Sequence, residues 1–359
     1  MAPSGSELQG AALDRPTIEA LDAADQLTDI LALPEHLRDA MWKVESASLG
    51  AWDSPGGLVV AGMGGSAVGG ALARAALGDH ASRPILSARA YGLPPWTQPD
   101  TTVLCSSYSG NTEETLACYE AAGALGARRV AVTSGGQLAR QARADGVPVI
   151  PVAGGLQPRA AVAYMTVASL HVAAQCGAGP GLTSELDVAA DHLEALAVEW
   201  GPDGPGDALS RGLARGLHGS VPVVAGAGLT APLAYRWKTQ INENAKVPAF
   251  ASELPELDHN EIVGWDGAEG VGRFAAVFLD DADTHPRVKA RIALTERLVA
   301  EHATATFVVE SRGQTAVERV FSLVLLGDLV SLYLAILRGV DPTPVEIIER
   351  LKAELAEQA

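Results

Sequence analysis

The first half of the chain alternates short, largely apolar segments with stretches whose apolar residues recur at helical spacing. Residues 58–61, 84–89, 103–106 and 129–133 have strand length. Residues 66–77, 116–130 and 138–144 space their Ala, Leu and Val residues as helices do, and 148–152 adds another apolar run. Strands alternating with helices at these separations predict an α/β architecture, a doubly wound parallel sheet with flanking helices. In such sheets a ligand binds beyond the carboxyl ends of the strands.

The pattern also divides the chain. Residues 1–14 read as a frayed end. Residues 17–42 mix acids and apolar residues at helical spacing, with Pro34 breaking the run, which predicts two helices packed on the first domain. Residues 162–176 and 184–200 are helical, and Gly-Pro-Asp-Gly-Pro-Gly at 201–206 is the clearest linker. The alternation then restarts: a strand into a Gly turn at 221–228, a helix at 231–244, strands at 275–279 and 304–309, a long helix at 316–338 and a closing helix at 345–357. The expected organisation is a helical extension at 1–44, a first domain at 45–200, a linker at 201–206 and a second domain at 207–359. Their similar order suggests duplication.

Composition narrows the function. A length of 359 residues, with 48% hydrophobic and 19% charged, suits a globular protein of two domains. Acids outnumber bases 43 to 26, and a formal charge of −17 argues against nucleic acid or an anionic membrane as partner. A small phosphate ester stays open, because it needs only a local site. The apolar stretch 321–336 is interrupted by Gly327 and Asp328 and is not read as a membrane span. The N-terminus has no signal-peptide pattern, and Cys105, Cys118 and Cys176 fit buried thiols in a reduced compartment, so a cytoplasmic location is expected. The histidines show no paired metal spacing and neither Gly loop has the context of a dinucleotide fingerprint, so neither metal nor other cofactor is expected.

Two loops carry the candidate chemistry. Ser-Ser-Tyr-Ser-Gly-Asn-Thr-Glu-Glu-Thr at 106–115 joins a strand to a helix. Ser107, Ser109 and Thr112 offer hydroxyls, Gly110 admits close backbone approach, and the first amides of the helix favour an anion. Taken alone, the same hydroxyls could merely cap the helix. The second loop, Gly-Met-Gly-Gly-Ser-Ala-Val-Gly-Gly at 62–70, repeats the strand–turn–helix order with Gly65 and Ser66. Further on, Glu243 stands between Asn242 and Asn244 near Lys246; it is either a proton-transferring base beside a cleft or half of a solvated Glu/Lys pair. His259 lies between Asp258 and Asn260, a setting that can fix an imidazole tautomer, and Arg159 stands where a helix begins.

These segments, together with Glu-Leu-Pro-Glu-Leu-Asp-His-Asn-Glu at 253–261, occur in the order of one family and span the chain from about residue 45 to its end. The chain resembles the bifunctional phosphoglucose/phosphomannose isomerases, built from two sugar-isomerase (SIS) domains. The resemblance implies that Gly65, Ser66, Ser107, Ser109 and Thr112 hold a sugar phosphate and that Glu243 shuttles a proton between C1 and C2. It implies that Arg159 stabilises a cis-enediolate, that His259 helps open the sugar ring, and that Lys352 sits near the ring oxygen. It further implies a homodimer in which the histidine crosses between subunits. The chemistry agrees, since aldose–ketose isomerisation needs an anion clamp, a base and a cation. Two other classes share the phosphate loops. A sugar-phosphate-binding regulator would have no use for Glu243, Arg159 and His259 together, and an amidotransferase would need an N-terminal cysteine where this chain reads Met-Ala-Pro.

Overall fold

The computed structural model describes residues 12–358, so most of the expected frayed end, 1–11, lies outside them. Helices α1 (Arg15–Glu19), α2 (Gln26–Leu31) and α3 (Leu33–Ser46) come first. The run does break at Pro34, which sits in the first turn of α3, where its missing N–H costs nothing; three helices form where the sequence predicts two because the stretch before it is itself interrupted at 20–25, where Asp25 takes a left-handed φ of 53°.

Next come β1 (Leu58–Ala61), α4 (Gly64–Leu77), β2 (Ile85–Ala88), β3 (Thr102–Ser106), α5 (Glu113–Leu125), β4 (Arg128–Thr133), α6 (Gly136–Ala144) and β5 (Val149–Pro151). The strands form one parallel sheet in the order β2-β1-β3-β4-β5, with Val60 paired to Ser87 on one side and Leu104 on the other. The helix predicted over 116–130 stops at Leu125, where Gly126 takes a left-handed φ of 77° and β4 starts two residues later.

Helices α7 (Val162–Gln175) and α8 (Thr183–Trp200) lead to the Gly/Pro segment 201–206. That segment is pinned: the buried Arg211 guanidinium donates to the carbonyls of Pro202 at 2.9 Å and Gly204 at 2.7 Å. It runs into α9 (Leu209–Leu217), a helix the periodicity does not predict. Then follow β6 (Val221–Gly226), α10 (Ala231–Gln240), a π-turn over Ile241–Ala245, β7 (Phe250–Glu253), 3₁₀ turns at Glu256–His259 and Glu261–Gly267, and α11 (Ala268–Val271). The chain closes with β8 (Phe274–Asp280), α12 (Pro286–Val299), β9 (Ala305–Glu310), α13 (Ala316–Leu337) and α14 (Glu346–Ala356). The second sheet is also parallel, in the order β7-β6-β8-β9.

Helix α13 explains how both halves share one core. It is 22 residues long, and an 18-residue stretch of it has a mean hydropathy of 2.3, apolar enough to cross a membrane, yet every residue from Val317 to Leu337 is buried inside the protein. A helix apolar all round must be covered all round. Here α2, α4, α8, α9, α10 and the π-turn cover it. Each Leu, Val or Phe it buries contributes on the order of 1.5–3 kcal/mol. Helix α3 rests on α7 and α8, which fixes the N-terminal segment to the body of the protein.

Candidate active site

Both Gly/Ser loops leave neighbouring strands at the point where the first sheet's order reverses. β1 is followed by α4 and β3 by α5, and the order 2-1-3-4-5 makes the gap between these strands the topological switch point, where α/β sheets bind ligands. The two loops are tied together: the Tyr108 amide donates to Ser66 Oγ at 3.2 Å. Ser107 Oγ and Thr112 Oγ1 share a hydrogen bond of 2.8 Å, and Ser107 Oγ accepts from the Gly110 amide at 3.1 Å. Ser109 Oγ accepts from the Asn111 amide at 3.2 Å. The hydroxyl protons of Ser66 and Ser109 therefore have no acceptor among the described residues and stay available to an anion. Neither α4 nor α5 has a side chain capping its first amides. The Ser66 amide donates to the Met63 carbonyl at 3.1 Å, while the amides of Gly64, Gly65, Glu113 and Glu114 have no acceptor among the described residues and are free donors at the positive ends of two helices.

Gly110 holds the second loop in its shape. Its φ is 68°, and a Cβ there would stand 1.9 Å from the Gly135 carbonyl oxygen. Gly65 serves the first loop differently, through close approach: a Cβ there would meet Pro158 O at 3.0 Å and Arg159 Cα at 3.4 Å. The first Gly/Ser loop thus packs directly on the backbone of Arg159.

The Arg159 side chain is 4% exposed and spends most of its donors on the protein. Nε donates to Asn244 Oδ1 at 2.7 Å; Nη2 reaches Gln26 Oε1 at 2.9 Å and the carbonyls of Pro342 and Thr343 at 3.0 Å each. Nη1 is left facing Glu243, whose Oε2 lies 3.4 Å away, an ionic contact longer than a good hydrogen bond. Burial pulls the guanidinium pKa down and the Glu243 charge opposes that. It stays cationic all the same, because an arginine does not deprotonate in a protein. Behind it Arg236 donates to the Arg159 carbonyl at 3.2 Å and pairs with Asp328 at 2.6 Å, and Gln240 donates to Asp328 at 2.8 Å.

Glu243 owes its position to the π-turn. The predicted helix 231–244 becomes a π-turn from Ile241, a distortion common at functional sites. The wider turn sends Asn244 inward, where its Nδ2 donates to Ser331 Oγ at 2.8 Å, while the Glu243 side chain stays 31% exposed. Lys246 ends the turn in a left-handed conformation with φ 55°, and its Nζ donates to the carbonyls of Glu243 and Pro342. Burial and the neighbouring Arg159 lower the Lys246 pKa. A cavity of about 490 Å³ opens here, lined by Asn242, Glu243, Lys246 and residues 344–348. That is enough for a hexose phosphate.

The remaining candidates lie apart from this cluster. His259 ends a 3₁₀ turn, exposed and without a hydrogen bond among the described residues. Its sequence neighbours do not orient it, as the sequence suggests they could. Asp258 accepts from Arg291 at 2.9 Å and Thr295 at 2.7 Å, and Asn260 donates to Glu256 at 2.8 Å. Lys352 is exposed on α14, a helix with no buried residue. The sequence reading missed Gln26, Arg236 and Asp328. For Asp328 a signal existed, an acid in the middle of the most apolar helix among the described residues; Gln26 and Arg236 gave none.

At the switch point of the second sheet, two polar side chains are already engaged with the protein. The Thr230 hydroxyl donates to Leu279 O at 2.9 Å, and Asp281 is taken by Ser311 at 2.6 Å and Arg319 at 2.9 Å. Among the described residues no three His, Cys, Asp or Glu side chains are placed to hold a metal ion.

A family profile described as the bacterial phospho-glucose isomerase C-terminal SIS domain matches residues 207–355. A bifunctional phosphoglucose/phosphomannose isomerase of Caldicellulosiruptor bescii is 40% identical over 84% of this chain and 89% of its own length. Another, of Aquifex aeolicus, is 37% identical over 84% and 91%. Among solved structures, tagatose-6-phosphate ketose/aldose isomerase from Escherichia coli superposes with a TM-score of 0.62 at 18% identity, over 95% of this chain and 96% of that one, a likeness of fold.

Proposed function

This chain belongs to the bifunctional phosphoglucose/phosphomannose isomerase family, and on that premise we propose that it interconverts fructose 6-phosphate with glucose 6-phosphate and mannose 6-phosphate at Glu243. The observation that carries the reading is the Glu243–Arg159–Asn244 cluster packed against the phosphate loop. Residues 45–200 and 207–359 act as two SIS domains, the first supplying the phosphate loops and Arg159, the second Glu243.

The substrate phosphate sits on Ser66, Ser107, Ser109 and Thr112 and on the first amides of α4 and α5, where Gly65 lets the loop lie flat. With the sugar open, the Glu243 carboxylate takes the proton from C1 of the ketose or C2 of the aldose and returns it to the other carbon. The oxygen that gains charge in the enediolate meets Arg159 Nη1, a donor already fixed before the charge develops. Glucose and mannose phosphates differ only at C2, which is planar in the enediolate, so one intermediate leads to both. His259 opens the ring from the second copy of a homodimer, which accounts for its exposure in one chain. Lys352 approaches the ring oxygen when α14 docks over the cavity. The three cysteines are buried and unpaired, in keeping with a cytoplasmic enzyme.

A coupled assay starting from fructose 6-phosphate, with EDTA present, tests the reading. Both glucose 6-phosphate and mannose 6-phosphate should form. Binding of fructose 6-phosphate with neither product would leave a phosphosugar-binding protein in place of an isomerase.

A further inference from the structure

Gln26 brings the N-terminal segment to the reacting groups. Its side chain is buried, and its amide is used at both ends: Nε2 donates to Asn244 Oδ1 at 2.9 Å, and Oε1 accepts from Arg159 Nη2 at 2.9 Å. Asn244 Oδ1 also accepts from Arg159 Nε at 2.7 Å, which closes a ring of three side chains drawn from α2, the start of α7 and the π-turn. Only a side chain with a donor and an acceptor on one short group completes that ring. Gln26 is itself held, because the buried Asp22 carboxylate accepts the amides of Gln26 at 3.0 Å and Leu27 at 2.8 Å. The space beside it, lined by Asp29, Arg159, Gln240 and Asp328, measures only about 10 Å³. No substrate group fits there, and the guanidinium cannot swing back into it.

We propose that Gln26 is a positioning residue for the isomerisation: by closing the ring with Arg159 and Asn244 it aims the one loosely held edge of the guanidinium, Nη1, at Glu243 and the developing enediolate. The 1–44 extension is then part of the catalytic machinery and not only a cover for the first domain. The inference rests on the role proposed above for Arg159.

The test compares kcat and KM for fructose 6-phosphate in Gln26→Met, Arg159→Lys and the double variant of the full chain, with folding followed by thermal melting. Methionine keeps the length of glutamine and offers neither hydrogen bond. Gln26→Met should lower kcat by about tenfold to a hundredfold, the cost of a misplaced group, and leave KM within about threefold, because the phosphate loops are untouched. The double variant should be no slower than Arg159→Lys, since both changes act through one guanidinium. A purely structural Gln26 would lower the melting temperature with kcat intact, and that result overturns the proposal. So do losses that multiply in the double variant. Should Gln26→Met fail to fold, Gln26→Glu carries the comparison: it keeps an acceptor for Arg159 but sets a carboxylate against Asn244 Oδ1, and a wild-type kcat there is equally fatal. A wild-type rate in Arg159→Lys would instead refute the role of Arg159, and with it this inference, whatever Gln26→Met does.

Discussion

Adjacent residues of the π-turn have opposite fates. Asn244 is fully buried and satisfied on both its polar atoms, while Glu243 keeps a partly exposed carboxylate in ionic contact with Arg159. The Asn-Glu-Asn string shows that polar residues cluster here, but not which of them faces the core, because that depends on a local change of helical pitch. Asp328 is the deeper case. It is buried with Arg236 in the centre of the molecule, and breaking a buried pair by removing one partner strands the other charge. Asp328→Ala should therefore cost about 3–5 kcal/mol in denaturant unfolding. A loss within about 0.5 kcal/mol, the range of an ordinary surface substitution, would show that Arg236 is not held by this pair. Asp328 was legible as an anomaly in an apolar helix. Gln26 was not legible, since a glutamine on a short amphipathic helix reads as solvent-facing.

At the scale of elements, the strand–loop–helix units were the most readable part of the chain. Strongly apolar β1, β3, β4, β6 and β8 stand where the pattern puts them, and both Gly/Ser loops fall at the switch point of the first sheet. Edge strand β7, half-exposed and containing Ser252 and Glu253, had too little hydrophobic signal, and α9 hid behind the linker. The loop over 107–112 depends on backbone shape as much as on hydroxyls. Gly110→Ala puts a Cβ into the Gly135 carbonyl at a left-handed φ and should disorder the cradle. Its expected signature is a rise in KM for fructose 6-phosphate of about tenfold or more, with little change in the melting temperature, because the loop lies outside the shared core. An unchanged KM would mean that the phosphate is held elsewhere.

For the molecule as a whole, two parallel sheets share the buried helix α13, and the two Gly/Ser loops stand at the switch point of the first. The repeated element order suggests duplication, and the proposed site lies at the first sheet. That site is built from distant stretches of chain: Gln26, the loops at 62–70 and 106–115, Arg159, the π-turn and the strap at 342–343. The sequence offered most of these motifs, and only the fold could show that Arg159 touches Gln26, the first Gly/Ser loop, the π-turn and the strap, while the 106–115 loop joins through Ser66. His259 and Lys352 face solvent in one chain, and α14 leaves Ile347 81% and Leu351 57% exposed, an apolar face that invites contact in an assembly. A shared site in a two-fold dimer makes a sharp demand on mixed subunits. Chains bearing Glu243→Gln and chains bearing His259→Ala should each be at least about a hundredfold slower than wild type on fructose 6-phosphate. Co-refolded in equal amounts, they should recover about a quarter of wild-type activity, since half the dimers are mixed and each mixed dimer rebuilds one of its two sites. Substantial turnover by Glu243→Gln alone, or no recovery on mixing, would contradict an isomerase that uses Glu243 as base and borrows His259 across the dimer.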